Sequence, residues 1–217
     1  REKQVQDSIA RLKENPEKKN STKTAIALST EAEKTIDTTT YTGPFGRAHS
    51  GNEERIVLEN DLIKVNISTK GGHVESVELK KFKSYDGKPL IMFSGEQNQF
   101  GLNFTAQGTK INTQDLFFSP GTENTAQNAE LRLFDSENRY IAYQYSLEKD
   151  TYKLGLTIKT EGLQGLVNQQ KLTLNWQTQL SQKEKDLASE QRYSTAYFKP
   201  VEDDVDHLSV SEDDKKE

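Results

Sequence analysis

The chain has 217 residues and a formal net charge of −5, from 29 basic and 34 acidic side chains. Charges of both signs are mixed along it, so it lacks the basic face of a nucleic-acid binder, and with no cysteine it can hold neither a disulfide nor a thiolate metal site. Apolar residues make up 32% and mean hydropathy is −0.87; no apolar run exceeds that of Leu90–Phe93, far short of the roughly 20 residues a spanning helix needs.

Residues 1–52 read as a short helix followed by a flexible linker. "REKQVQDSIARLKEN" sets Val5, Ile9 and Leu12 at helical spacing on an otherwise charged surface. A stripe that narrow makes a marginal helix in water, and Pro16 discourages its continuation. The Thr-, Ser- and Lys-rich stretch that follows has no lasting period and reads as a tether. A partner-binding motif around Ala25–Leu28 is the alternative reading. The chain begins at Arg1 rather than Met, which we read as the mark of a fragment of a longer protein.

From Glu53 to Pro200 the dominant period is two, that of half-buried strands. Ile63, Val65 and Ile67 face one way, with Lys64 and Asn66 opposite. Gly71-Gly72 then mark a tight turn, because adjacent glycines permit positive φ at either position. Val77 and Leu79 continue the apolar face, and the same alternation places His73 and Glu75 on it. "LRLFDSENRYIAYQYSLE" is a hairpin: Leu131 and Leu133 enter a turn at 135–138, and Ile141, Tyr143, Tyr145 and Leu147 return. Tyr152, Leu154, Leu156 and Ile158 form the next strand. Leu172, Leu174 and Trp176 form another, extended through Leu180, and the pattern predicts a buried Trp176. "SQKEKDLASEQ" can form a helical turn and "RYSTAYF" a last strand, stopped by Pro200. Residues 201–217 are acidic and expected to be mobile. Strands at roughly ten-residue spacing are the pattern of a β-sandwich.

Chemistry-bearing residues are sparse. The three histidines are His49, His73 and His207. Of these, only His73 lies in the strand-rich zone, and a general base needs a partner and a pocket. Carboxylate pairs such as Glu53-Glu54 fall in polar loops. No serine sits in a nucleophile elbow and no phosphate-binding glycine loop occurs. "EDDVDH" (Glu202–His207) offers oxygen ligands but does not match a calcium loop. Asn66-Ile67-Ser68 and Asn103-Phe104-Thr105 fit a glycosylation sequon, a triplet that also arises by chance. On these grounds no catalytic, cofactor-binding or metal-ligating residue is assigned.

"ENDLIKVNISTKGGHVESVELKKFK" resembles the start of the large periplasmic domain of the YidC family of bacterial membrane protein insertases. There, too, a strand of the type L-x-V-x-I-x-T leads through [KR]-G-G into V-x-S-x-x-L. The Trp-bearing strand at Lys171–Leu180 and "EQRYSTAYFKPVEDDVDHLS" fall in matching order, and the Lys- and Thr-rich linker is similar to the Bacteroidetes form. The resemblance covers roughly Glu53–Ser209. It implies a β-supersandwich of two large antiparallel sheets, galactose mutarotase-like, with short helices and a flexible N-terminal tether. It further implies domains at 1–52 (juxtamembrane helix and linker), 53–200 (sandwich) and 201–217 (a segment leading to a transmembrane core that carries the insertase groove). The implied protein is anchored in the inner membrane with this part on the periplasmic side. Its implied partners are nascent membrane proteins and the Sec translocon with its SecD and SecF accessory subunits; no nucleic acid and no cofactor are implied. The competing expectation is a sugar-binding protein or aldose epimerase on the same fold. Epimerisation needs a histidine and a carboxylate converging in a cleft, and a single histidine in the strand-rich zone disfavours it.

Overall fold

The computed structural model describes residues 41–95, 98–167 and 172–209, all within one compact unit, Thr38–Glu217. The expected N-terminal helix, the tether before Tyr41 and residues 210–217 lie outside the described residues.

Alternating side chains produce the first sheet. β1 (Arg55–Glu59), β2 (Ile63–Ser68), β3 (Val74–Lys83) and β4 (Pro89–Ile91) form an antiparallel meander in sequence order. Ile63, Val65 and Ile67 are buried as their spacing requires. Buried Asn60 organises the β1–β2 turn. Its Oδ1 accepts the Leu62 and Ile63 amides, and its Nδ2 donates to the Glu148 and Thr151 carbonyls. One side chain thereby ties this sheet to a turn of the second, with all of its hydrogen-bonding capacity used.

The second sheet comprises β7 (Ser119–Pro120), β8 (Asn128–Ser136), β9 (Arg139–Leu147) and β10 (Leu154–Glu161), in the order β10-β9-β8-β7. The β8–β9 hairpin is as expected: Leu131, Leu133, Ile141, Tyr143, Tyr145 and Leu147 are all buried. Tyr152 precedes β10 and is half exposed. A third sheet, in the order β11-β5-β6, holds β5 (Gln99–Ala106), β6 (Thr109–Asn112) and β11 (Thr173–Gln177). The period-two row Phe100, Leu102, Phe104 and Ala106 is buried, and Gln107 and Gly108 close the β5–β6 hairpin with φ of 48° and 81°, the positive pair that twisted hairpins favour. These two strands are absent from the sequence reading, although row and turn signal were both present. β12 (Thr195–Phe198) and β13 (Asp206–Ser209) form a ribbon after the helix α1 (Leu187–Tyr193).

The three larger sheets feed one apolar core, the all-β sandwich class expected. Four local expectations change. The core extends upstream of Glu53: Phe45 is fully buried, edge-on to Phe104 at 5.7 Å, and a 3-10 turn follows at Gly46–His49. The acidic end is not free of structure, since β13 pairs with β12. Trp176 is 67% exposed and Leu174 49%, so the prediction of a buried Trp176 fails. The strand ends at Gln177 rather than reaching Leu180.

Candidate functional site

The Lys70–His73 turn is built by conformation and close approach. Gly71 and Gly72 have φ of 74° and 64°, where L side chains are strained. A Cβ on Gly72 would sit 3.0 Å from a Tyr143 ring carbon and 3.2 Å from Phe118. The Gly72 carbonyl accepts the buried Tyr145 hydroxyl at 2.8 Å. The turn is therefore clamped onto the second sheet by packing and by a hydrogen bond.

At its exit His73 Nδ1 lies 3.0 Å from the Lys70 carbonyl. A carbonyl only accepts, so Nδ1 carries the proton and Nε2 is left as the acceptor. Burial pushes the His73 pKa below its ordinary value, against the raising effect of the Lys70 carbonyl and the Glu75 carboxylate. The expected sharing of a face by His73, Glu75, Val77 and Leu79 does not hold. The register passes from Asn66 opposite Ser76 to Ile67 opposite Val74, a one-residue bulge at Glu75. Val74, Val77 and Leu79 pack on the core, while Glu75 takes both Arg55 guanidinium contacts at 2.5 and 2.7 Å. The Arg55 hydrogen bond holds the Glu75 pKa below the usual carboxylate value. A bulge re-aims a side chain in this way because the extra residue breaks the two-residue alternation.

His73, Glu75 and Arg55 line a polar cleft of about 380 Å³ with Glu53, Lys70 and Gln114. Glu53 accepts the Ser68 hydroxyl at 2.7 Å, and the Glu54 amide donates to the Thr69 hydroxyl at 2.8 Å. The carboxylates gathered here are engaged in ion pairing and in fixing strand ends. The other two histidines lie elsewhere: His49 stacks on Tyr41 at 4.1 Å and His207 on β13 lies against Tyr197. Among the described residues, no group of three or more His, Cys, Asp or Glu is placed to hold a metal ion, and Glu202–Asp204 stand in the β12–β13 connection. The sequon residue Asn66 donates to the Ser76 hydroxyl at 2.8 Å within the first sheet.

A second polar cavity, about 510 Å³, lies on the outer face of the second sheet beside the Gly121–Asn124 loop. Its floor is a linked set. Arg132 and Gln144 both donate to the Glu130 carboxylate, and the Arg132 guanidinium lies 5.0 Å over the Tyr140 ring. Those hydrogen bonds, Gln144 first, lower the Glu130 pKa. Sequence reasoning missed this face because its residues are ordinary outward positions of a hairpin.

The family of YidC periplasmic domains matches residues 55–216. Three similar proteins, each named membrane protein insertase YidC, come from Bacteroidetes organisms. That of Parabacteroides distasonis is 34% identical over 178 residues, 81% of this chain and 28% of that protein. That of Phocaeicola vulgatus is 33% identical over 221 residues, 100% of this chain and 34% of that protein. That of Porphyromonas gingivalis is 35% identical over 178 residues, 80% of this chain and 28% of that protein. This chain thus spans about a third of the length of the relatives it matches. No solved structure matches it at a significant level. The match over residues 55–216 takes in every strand from β1 to β13, and the chain belongs to the family of YidC periplasmic domains.

Proposed function

We propose that this chain is a non-catalytic periplasmic domain of an inner-membrane insertase, assisting the insertion and folding of membrane proteins alone or beside the Sec translocon and its SecD and SecF subunits. The observation that carries the reading is the family match across the strand-rich region, in relatives named for insertion. The cleft at His73 supports it. Both oxygens of its carboxylate, Glu75, are held by Arg55 and its pKa is lowered, so it is a weak base for the proton transfer an epimerase needs.

The test places photo-crosslinking residues across the outer sheet faces of the full-length protein in inner-membrane vesicles. Crosslinks to nascent membrane proteins or to Sec subunits are the expected outcome. A purified domain that turns over an aldose and loses that activity on His73→Ala would replace this reading with the enzyme.

A further inference from the structure

Residues 41–52 run over the body of the fold as a strap that is held tightly at one point and lightly elsewhere. Among the described residues, three other than glycine have positive φ: Phe45, Gln107 and Asp150. Gln107 and Asp150 sit exposed in the β5–β6 and β9–β10 turns, which commonly require that conformation. Phe45 is different. At φ 58° and ψ 19° it is left-handed, and it is fully buried. A bulky side chain is strained there, and such strain persists only where the surroundings impose it. The Asp135 carboxylate imposes it: it accepts the Phe45 amide at 2.9 Å while pairing with Arg139 at 2.8 Å, and the ring is seated against Phe104. Ala48 is the other buried residue of the strap. Its carbonyl accepts the Phe117 amide at 2.7 Å, and the Asn52 carbonyl accepts the Thr69 hydroxyl at 3.3 Å. A cavity of about 600 Å³, lined by Arg47 and Ser50 on the strap and by Phe134 and Glu137 on the body, leaves part of this stretch without a packed floor. The strap is also bonded to itself. His49 stacks on Tyr41, the Gly46 amide donates to the Gly43 carbonyl at 3.1 Å, and the Ala48 amide donates to the Phe45 carbonyl at 2.9 Å.

We propose that residues 41–52 form a detachable strap, latched at Phe45 and Asp135, that lifts off as one piece while the sheets stay folded. Closed is the resting state, held by the burial of the ring. Opening relieves the strain at Phe45 and keeps the strap's own turn. An opening of this kind costs less than global unfolding, because few apolar groups leave the core and most of the segment already faces solvent. Its consequence is reach. The segment leaves the surface and, when extended, adds up to about 40 Å between residue 40 and β1. In a domain carried on a membrane-anchored chain, that is a change of distance from the membrane. This consequence alone rests on the insertase reading above; the opening does not.

The Phe117 amide is the reporter, because its acceptor lies on the strap, whereas the adjacent Phe118 amide donates to the Thr69 carbonyl. Native-state hydrogen exchange of the chain, read residue by residue, is expected to show the Phe45, Ala48 and Phe117 amides opening together, at least about tenfold more often than that of Phe118. Asp135→Asn keeps an acceptor for the Phe45 amide and should raise this opening less than Asp135→Ala does, with Phe118 unchanged. Phe45→Ala and Phe45→Gly both delete the ring, but only glycine takes left-handed backbone without strain, so the strap should open several-fold less often with glycine than with alanine. Phe117 exchanging no faster than Phe118 would overturn the proposal, since the strap then leaves only with the whole fold. So would exchange at 45–48 without Phe117, which is fraying of the strap's own turn, and so would equal opening in the two Phe45 variants, which removes strain from the latch. The wild-type comparison decides the first two outcomes even where a variant fails to fold. Every arm is read on this chain alone, so a failed strap leaves the crosslinking test of the insertase reading standing, and failed crosslinks leave the strap.

Discussion

Replacing Gly72 by valine tests whether the Lys70–His73 turn is held by backbone conformation. At φ 64° a non-glycine residue takes on about 1–2 kcal/mol of strain, and a β-branched one sits at the upper end. The new Cβ meets the Tyr143 ring at 3.0 Å and Phe118 at 3.2 Å. Both rings are buried and cannot swing aside, so overpacking adds roughly 1–3 kcal/mol. Gly72→Val should therefore destabilise the fold by about 3–5 kcal/mol. With a urea slope near 2 kcal/mol/M, the midpoint falls by roughly 1.5–2.5 M. Gly72→Ala carries the same strain and Cβ contacts without the branched methyls and should lie between Val and wild type. His73→Ala removes one hydrogen bond to the Lys70 carbonyl, worth about 0.5–1.5 kcal/mol. Equilibrium urea melts of the three variants, followed by circular dichroism, supply the ranking. If His73→Ala shifts the midpoint more than Gly72→Val does, the turn is not governed by positive φ and ring contact.

Asp135→Ala frees both the Phe45 amide, held at 2.9 Å, and the Arg139 guanidinium, held at 2.8 Å; it should cost about 1.5–3 kcal/mol and raise hydrogen exchange at 45–49. Limited proteolysis with mass spectrometry should yield a resistant fragment that begins upstream of Phe45, and a fragment starting at Glu53 with unchanged stability would refute the anchoring role of that ring. Native Trp176 emission should be red-shifted and readily quenched by acrylamide, with Trp176→Phe changing stability by less than about 0.5 kcal/mol as surface substitutions do; a blue, shielded spectrum for the free chain would show that the side chain is covered. The His73 pKa is lowered in the fold, so its neutral form contributes stability present above the ordinary value near 6.5 and lost as pH falls through the folded value; His73→Gln should flatten the stability profile just below pH 6.5, and an unchanged slope there would contradict the burial of the ring. Glu59, Glu75 and Glu130 are lowered, so their contribution is present above the ordinary carboxylate value of about 4.5 and is lost on further acidification, which a steeper fall in Tm below that pH would register.

The period-two rows of β2 and the β8–β9 hairpin are legible in the sequence because each has one face in the core and one outside, and alternation reports that directly. The Gly71-Gly72 turn is legible for a related reason: the need for positive φ selects glycine locally. The all-β class follows from these elements. Tertiary structure decided the rest. Leu174 and Trp176 alternate as faithfully as Ile63 and Val65, yet they are exposed, because alternation says which side a residue faces and not whether another layer covers that side. Phe45 sits in a stretch whose composition reads as linker, and it is buried through Asp135, a partner 90 residues away that no local pattern announces. The bulge at Glu75 turned the carboxylate from the core face toward Arg55 on β1, across the intervening β2. That displacement, invisible to a strict period of two, decided the chemistry of the His73 cleft, because side-chain direction depends on strand register and register is fixed by the pairing of whole strands.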